Sequence, residues 1–156
     1  REKSVQSGIP LEDWVVGQKI TTRGRTIAET DIVNYVNTVG YTESLFLDME
    51  YLREKGHDRR MAPALLTAGI ADALIIQTGI LHNYAVALLG IDNLVARAPV
   101  YAGDTLRVEV EVNETKASTS RPDRGVVASH QRVINQTGEV VLEYDVKRMV
   151  LREKSV

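Results

Sequence analysis

The sequence lacks cysteine altogether and has few histidines. With no cysteine among its 156 residues, the chain can form neither disulfides nor thiolate metal sites, and it has no cysteine nucleophile. The absence also fits a reducing cytoplasm. The three histidines, His57, His82 and His130, include no pair four residues apart, so the helical zinc-protease motif is missing. We therefore expect no bound metal.

Neither an excess of basic residues nor a long hydrophobic run is present. Nineteen Lys and Arg against 21 Asp and Glu give a net charge of −2, which does not suit a nucleic-acid-binding protein. The longest apolar stretch, residues 61–76, contains Asp72 and is shorter than the roughly 20 residues that span a bilayer. Residues 1–4 are polar, without a signal-peptide core. These features predict a soluble, cytoplasmic protein that binds neither nucleic acid nor membrane.

What the sequence does contain is the composition of one compact domain. Hydrophobic residues make up 44% and charged residues 26%, which is ordinary for a globular protein with a single core. We expect residues 1–156 to form one domain, because its length is close to the roughly 150 residues of a typical domain. Arg-Glu-Lys-Ser-Val occurs at residues 1–5 and again at 152–156, but no repeat lies between them, so the match does not indicate a repeat protein.

The first 60 residues predict short elements. Residues 18–27 are rich in threonine and predict a strand with a bulge at Gly24. Thr30 is a suitable N-cap for a helix over residues 31–39, which has an apolar stripe and ends before a glycine. Residues 41–60 predict a loop with a short helix over 48–55.

The segment of residues 63–80 predicts a buried central helix. Its apolar residues fall on every helical face, a pattern typical of a helix surrounded by protein. Pro63 suits the first helical turn and Gly79 suits the end.

The remaining residues predict an antiparallel sheet. Strands are expected at 88–95, 106–112, 124–135 and 140–151, with a polar loop at 118–123 and a hairpin turn at 136–139. Half-buried alternation with short turns is typical of antiparallel sheets that are covered on one face. The sequence therefore predicts an α+β fold in which this sheet wraps around the long buried helix.

This order of elements, together with local motifs, resembles the MaoC-like dehydratase and (R)-specific enoyl-CoA hydratase family, which has the hot-dog fold. The family's openings are similar to residues 22–33, and its L-G-x-D-N-L and P-V-x-x-G-D-T motifs match residues 89–94 and 99–105. The family's G-D-x-N-P-L-H-x-D-x-E-Y motif aligns with residues 40–51. The resemblance covers about residues 17–151 and implies a hot-dog fold.

The resemblance implies hydration of a 2-enoyl thioester or dehydration of a 3-hydroxyacyl thioester, but the acid–base pair differs. The family's Asp and His exchange protons with water and the α-carbon, for which a carboxylate and an imidazole are suited. Here Tyr41 stands at the Asp position and Phe46 at the His position. Phenylalanine cannot carry a proton, and tyrosine ordinarily ionises only near pH 10. If the protein catalyses the reaction, Tyr41 and the nearby Glu43 are the expected catalytic residues; alternatively, Glu43 is a solvated loop residue and Tyr41 packs over the pocket mouth.

The resemblance also implies a carbonyl-binding position at the start of the central helix. Where the family has A-H-G-M-L, this chain has residues 62–66, Ala-Pro-Ala-Leu-Leu. Pro63 removes one N–H donor, whereas Ala64 and Leu65 keep theirs and lie at the positive end of the helix dipole. We expect Pro63, Ala64 and Leu65, with Phe46 and His57, to contact the substrate. The alternatives are that Pro63 simply begins a structural helix and that His57 is an exposed loop residue.

Other charged residues admit two interpretations each. Arg59 and Arg60 could bind coenzyme A phosphates or be solvated surface charges. Asp72, inside an apolar helix, requires a partner if it is buried, and a structural hydrogen bond or a dimer contact is expected. His82 and His130 have no visible partner in the sequence, and both are interpreted as structural.

Three functions remain open. The first is a hydratase or dehydratase of acyl-CoA or acyl-carrier thioesters, with coenzyme A as part of the substrate and no separate cofactor. The second is a non-catalytic relative that binds the thioester or supports a partner subunit, and the third is an acyl-CoA thioesterase. Because hot-dog sheets usually pair at their edges, a homodimer or a larger homo-oligomer is expected.

Overall fold

The computed structural model describes residues 8–154, so the first copy of the terminal pentapeptide and the last two residues of the second lie outside the described part. A short 3₁₀ helix spans Leu11–Asp13. The helices are α1 (Glu29–Val39), α2 (Ser44–Leu47), α3 (Met49–Glu54) and α4 (Ala64–Gln77), and the strands are β1 (Lys19–Thr21), β2 (Arg25–Thr26), β3 (Ala85–Ala96), β4 (Thr105–Ala117), β5 (Arg124–Ile134) and β6 (Val140–Leu151).

The strands form one antiparallel sheet in the order β1-β4-β5-β6-β3, and β2 also pairs with β4. The turn between β5 and β6 is organised by Asn135, whose Oδ1 accepts the backbone N–H groups of Thr137 (3.0 Å) and Glu139 (3.1 Å). Gly138 there has φ +84°, a conformation that favours glycine. The predicted hairpin is confirmed.

Helix α4 lies against the inner face of the sheet, and its contact residues form the main core. Ile70, Ala71 and Leu74 are buried together with Val108 and Tyr144 from the strands. The helix begins at Ala64, one residue later than predicted, because Pro63 takes the N-cap position with an extended ψ of 142°. The described chain thus has the predicted architecture, an antiparallel sheet wrapped around a central helix.

Two sequence predictions in the first 40 residues are wrong in detail. The expected continuous strand over 18–27 is two short strands, because the Thr22 hydroxyl replaces a regular ladder bond by accepting the backbone N–H of Val108 at 2.9 Å. Helix α1 begins before Thr30, which is not its N-cap. Instead, Asp31 Oδ2 accepts the backbone N–H of Ala28 at 2.8 Å, which satisfies a donor at the helix start.

The segment before α4 contains two short helices where one was predicted. Asp48 separates them and caps α3, accepting the backbone N–H groups of Glu50 (3.0 Å) and Tyr51 (3.1 Å). Helix α2, which contains Phe46, was not predicted. Among residues 8–154, no helix is long and apolar enough to cross a bilayer.

Candidate functional site

A cavity of about 320 Å³ opens at the start of α4. Its wall consists of residues 61–64 and 96–100 together with Phe46, Thr67, Val141 and Leu142. The wall is thus formed by the N-terminal end of α4, the end of β3 and the start of β6. A largely apolar concavity of this size is typical of a small-molecule site.

Backbone contacts hold the start of α4 against the segment that follows β3. Ala62 N–H donates to the Val100 carbonyl at 2.7 Å, and Met61 forms an isolated antiparallel bridge with Tyr101. The first N–H groups of a helix have no partner within it, and Ala64 and Leu65 occupy these positions in α4. The helix dipole adds positive potential there. The cavity therefore has apolar walls and, at Ala64, a backbone donor suited to a carbonyl oxygen, whereas Leu65 is not among its lining residues.

Two polar side chains, Thr67 and Arg97, line this cavity among the described residues. Arg97 Nε donates to Glu143 Oε2 at 2.9 Å, so its charge is already paired at the cavity edge. The Thr67 hydroxyl is buried and has no hydrogen-bond partner in the described chain. Neither residue was predicted as a site residue: Thr67 is one of the few polar interruptions of α4, and no sequence signal marks Arg97.

Tyr41 and Phe46 lie together, but only Phe46 lines the cavity. Their rings are stacked with centroids 5.9 Å apart, and Tyr41 also meets Tyr35 edge-on at 5.7 Å. Burial and the neighbouring Tyr41 hydroxyl raise the pKa of Tyr35. The aromatic group thus forms a packed wall behind Phe46.

Glu43 is an exposed residue at the N-cap of α2. Its Oε1 accepts the backbone N–H of Ser44 at 3.1 Å, a local interaction that stabilises the start of the helix. It does not line the cavity.

His57 and Arg59 both contact Tyr101 rather than the cavity. His57 Nδ1 and the Tyr101 hydroxyl are 2.6 Å apart, and the Arg59 guanidinium lies 4.8 Å from the Tyr101 ring centroid. The Arg59 Nη1 atom also lies 3.2 Å from Asp104 Oδ1. Each of these residues has a partner within the chain, which indicates that they brace the 99–105 segment.

Asp104 is the buried carboxylate that organises this segment. Burial opposes its ionisation, but hydrogen bonds outweigh that effect: the Tyr101 backbone N–H donates at 2.9 Å and Gln136 Nε2 at 2.9 Å, and with Arg59 they hold the pKa of Asp104 below its ordinary value. The Gly-Asp of the P-V-x-x-G-D-T motif therefore has a structural role here: it shapes the loop that forms one cavity wall.

Arg60 links α1 to the cavity wall. Its Nε lies 2.8 Å from Glu29 Oε1, and its Nη1 donates to the Phe46 carbonyl at 2.9 Å. Only 16% of its side chain is exposed. Arg60 thus holds the backbone of Phe46 in place instead of being a solvated surface charge.

The remaining ionisable residues have the following partners. Asp72 pairs with Arg148 of β6, which confirms the predicted structural hydrogen bond. His130, interpreted as structural, has two carboxylate partners: Asp145 and Glu143 lie within 3.0 Å of its two ring nitrogens. These carboxylates are on the neighbouring strand β6 and were not visible as partners in the sequence. His82 is exposed.

Comparison with known proteins identifies the family. The family model "FAS1-like, dehydratase domain region" matches residues 14–144, so the chain belongs to this family of MaoC-like hot-dog dehydratases. Among curated proteins, no relative matches the sequence.

Solved structures show the same fold over nearly the whole chain. The MaoC-like dehydratase from Rhodospirillum rubrum is 29% identical, with a TM-score of 0.84 over 95% of this chain and 100% of that one. The R-hydratase PhaJ1 from Pseudomonas aeruginosa is also 29% identical, with a TM-score of 0.78 over 94% of this chain and 88% of that one. A HadBC (3R-hydroxyacyl-ACP dehydratase) complex from Mycobacterium tuberculosis, 18% identical, shares the fold with a TM-score of 0.73 over 87% of this chain and 97% of that one.

Proposed function

We propose that the protein binds 2-enoyl and 3-hydroxyacyl thioesters of coenzyme A and interconverts them by hydration and dehydration. The observation that carries the proposal is the apolar cavity at the N-terminal end of α4. In this proposal the acyl chain lies between Phe46, Thr67 and Leu142. The coenzyme A is part of the substrate, and no separate cofactor takes part.

In this proposal the thioester carbonyl binds at the start of α4. The N–H groups of Ala64 and Leu65 would donate to its oxygen, which becomes more negative as water adds to the double bond or leaves the 3-hydroxyacyl group. Pro63 contributes no donor, and its fixed φ of −57° keeps the chain in position before the first turn. Only the backbone of Leu65 takes part, because its side chain is 51% exposed.

Proton transfer is the second chemical element of the reaction, and Tyr41 and Glu43 are the residues proposed for it. Glu43 is exposed at the head of α2, and Tyr41 is stacked behind Phe46. For either to act, it would have to reach the substrate when the cavity is filled, for example by movement of α2. Conversion of Glu43 to Gln then abolishes turnover, whereas an unchanged rate removes Glu43 from the mechanism.

A second function, a thioester-binding subunit without its own chemistry, is favoured by the composition of the cavity wall. Among the described residues, no carboxylate or imidazole lines it, and general acid–base catalysis needs such groups close to the reacting atoms. The acid and base would then come from a different chain. The HadBC dehydratase, which shares the fold, is a complex.

We also propose a homodimer formed through β3. In the described chain β3 is an edge strand with β6 as its neighbour on one side. Side chains on both faces of β3 are exposed, including Leu88 (50%) and Ile91 (48%). An edge strand with such apolar side chains favours association, and antiparallel pairing with a second copy would satisfy its free backbone groups.

The experiment that tests the proposed function follows crotonyl-CoA and longer or branched enoyl-CoAs by the absorbance of the conjugated thioester and by free thiol. Loss of absorbance without thiol release supports the hydratase, and binding without change supports the non-catalytic subunit. Release of free thiol would indicate a thioesterase. Substitution of Ala64 by Leu, which fills the cavity mouth, is expected to reduce binding, while Thr38→Leu on the exposed face of α1 serves as the control.

A further inference from the structure

Thr67 lines the cavity, and its buried hydroxyl has no hydrogen-bond partner among residues 8–154. The residue is only 2% exposed, and its Oγ1 has no hydrogen-bond partner among the described residues. A threonine inside a helix commonly bonds the carbonyl four residues earlier. Here the Pro63 carbonyl accepts the Thr67 backbone N–H at 3.1 Å, and the hydroxyl makes no such bond.

A buried hydroxyl without a partner is unfavourable. Leaving a buried donor or acceptor unsatisfied costs its desolvation energy, and buried polar groups in native proteins are almost always paired. Replacement of Thr67 by Val would keep the shape and remove this penalty. The other polar side chain in the wall, Arg97, is engaged by Glu143. The unpaired hydroxyl of Thr67 therefore suggests a hydrogen-bonding atom that enters the cavity with the ligand.

The position of Thr67 on α4 indicates which ligand atom this is. Ala64 and Thr67 are three residues apart, so they lie on the same face of the helix, and both line the cavity. Along the helix axis Thr67 lies about 4.5 Å beyond Ala64. A thioester whose carbonyl oxygen is bound by the first N–H groups of α4 therefore extends its acyl chain past Thr67. The third acyl carbon, two bonds from the carbonyl carbon, comes level with this hydroxyl.

We propose that the Thr67 hydroxyl binds the oxygen at the third carbon of a 3-hydroxyacyl thioester. The proposal rests on the proposed function, since it requires the acyl thioester to lie in this cavity. A saturated acyl group has no oxygen at that carbon, nor does a 2-enoyl group. Thr67 thus makes the site selective for the hydroxylated acyl form, whether or not the chain catalyses its dehydration.

The test compares the binding of 3-hydroxybutyryl-CoA and butyryl-CoA by isothermal titration calorimetry. These ligands differ only in the hydroxyl group, and butyryl-CoA cannot be dehydrated. The wild-type protein is expected to bind 3-hydroxybutyryl-CoA more tightly. In Thr67→Val the affinity for 3-hydroxybutyryl-CoA should fall roughly three- to tenfold, the usual effect of one net hydrogen bond. The affinity for butyryl-CoA should stay the same, and Thr67→Ser should keep the selectivity.

Tyr144→Phe is the matched control. It also removes a buried hydroxyl without a partner among the described residues, but Tyr144 does not line the cavity, so the selectivity should not change. Thermal unfolding checks that each variant is folded. Unchanged selectivity in Thr67→Val, or an equal loss of affinity for both ligands, overturns the role of Thr67. Failure of the folded wild-type protein to bind any acyl-CoA instead overturns the proposed function.

Discussion

His130 on β5 and Asp145 on β6 lie directly opposite each other, with His130 Nδ1 2.8 Å from Asp145 Oδ1. Glu143 Oε1 lies 3.0 Å from the other ring nitrogen, and the two carboxylates are held by Asn93 of β3 and by Arg97, which directly follows β3. An imidazole between two carboxylates is most stable when both ring nitrogens carry protons. This cluster therefore joins three strands on the outer face of the sheet.

The cluster predicts a pH-dependent contribution to stability. Burial opposes protonation of His130, but the hydrogen bonds to Asp145 and Glu143 outweigh it and raise the His130 pKa. A raised pKa means that the stabilisation is complete below about pH 6.5, the unfolded value, and is lost as pH rises through the folded value. His130→Gln should thus lower the urea midpoint more at pH 6 than at pH 9.

The two carboxylates of this cluster also make the stability of the protein fall at acidic pH. Hydrogen bonds from His130 and Arg97 lower the pKa of Glu143, and those from Asn93 and His130 lower that of Asp145. Their contribution is present above the unfolded carboxylate pKa, near pH 4, and is lost as pH falls through the folded values. His82→Gln, at an exposed histidine, is the control for His130→Gln. If the urea midpoints of these two variants changed equally with pH, the prediction would be contradicted.

The Asp72–Arg148 pair predicts an asymmetric mutational response. Arg148 is largely buried, with 11% of its side chain exposed, whereas Asp72 is 30% exposed. Asp72→Ala leaves the guanidinium without its partner, and we expect a loss of about 2–3 kcal/mol in the free energy of unfolding, reduced from the fully buried case by solvent. The double variant Asp72→Leu/Arg148→Met should recover most of it.

Urea unfolding measures both variants. The exposed pair of Arg132 and Glu109, 3.3 Å apart, provides the comparison, since Glu109→Ala should cost less than about 1 kcal/mol. Equal losses in the free energy of unfolding for Asp72→Ala and Glu109→Ala would show that the partly buried pair contributes no more to stability than the exposed one.

Tyr144→Phe is expected to stabilise the protein. The Tyr144 hydroxyl is buried with no partner in the described chain, and burial, with Asp72 nearby, raises its pKa far above the ordinary value. The phenol is therefore neutral and unsatisfied. Removal of the hydroxyl should raise the free energy of unfolding by about 1 kcal/mol, which urea unfolding can measure. A clear destabilisation would mean that the hydroxyl does have a partner in solution.

Ile91→Lys is expected to convert a β3-linked dimer into a monomer. A charged side chain on the apolar edge strand opposes strand pairing, so light scattering at micromolar concentration should report half the wild-type mass. Val15→Lys introduces the same charge at another exposed apolar residue, 63% exposed and outside β3, and should not change the mass. A wild-type monomer under these conditions would refute the proposed dimer.

The long elements could be predicted from the sequence because their patterns are local. Period-two alternation defines β4, β5 and β6, and an apolar run between a proline and a glycine defines α4. The long strands β3 and β4 extend beyond their predicted bounds, to Ala85–Ala96 and Thr105–Ala117, but they keep their type. Errors in the number or start of elements lie in short ones, where one side chain decides the outcome. Thr22 interrupts a strand through a bond to Val108, and Asp31 moves the start of α1 by bonding Ala28. Neither contact has a signature strong enough to outweigh the segment's overall pattern.

The candidate site was only partly predictable. Of the predicted site residues, Phe46, Pro63 and Ala64 line one cavity. The others do not: Tyr41, Glu43, His57 and Leu65. Thr67 and Arg97, which also line the cavity, were not predicted. Their roles depend on tertiary contacts: Arg97 pairs with Glu143, whereas the Thr67 hydroxyl has no partner among the described residues.

By itself, the sequence determined the fold class and family, because hydrophobic periodicity, turn residues and motifs such as that of residues 99–105 are properties of neighbouring positions. Only the tertiary structure decided which polar groups meet. Residues 130 and 145, or 72 and 148, are far apart in the chain and are brought together by strand register and by the packing of α4 on the sheet. For the same reason, only the tertiary structure shows that the Thr67 hydroxyl has no hydrogen-bond partner among residues 8–154.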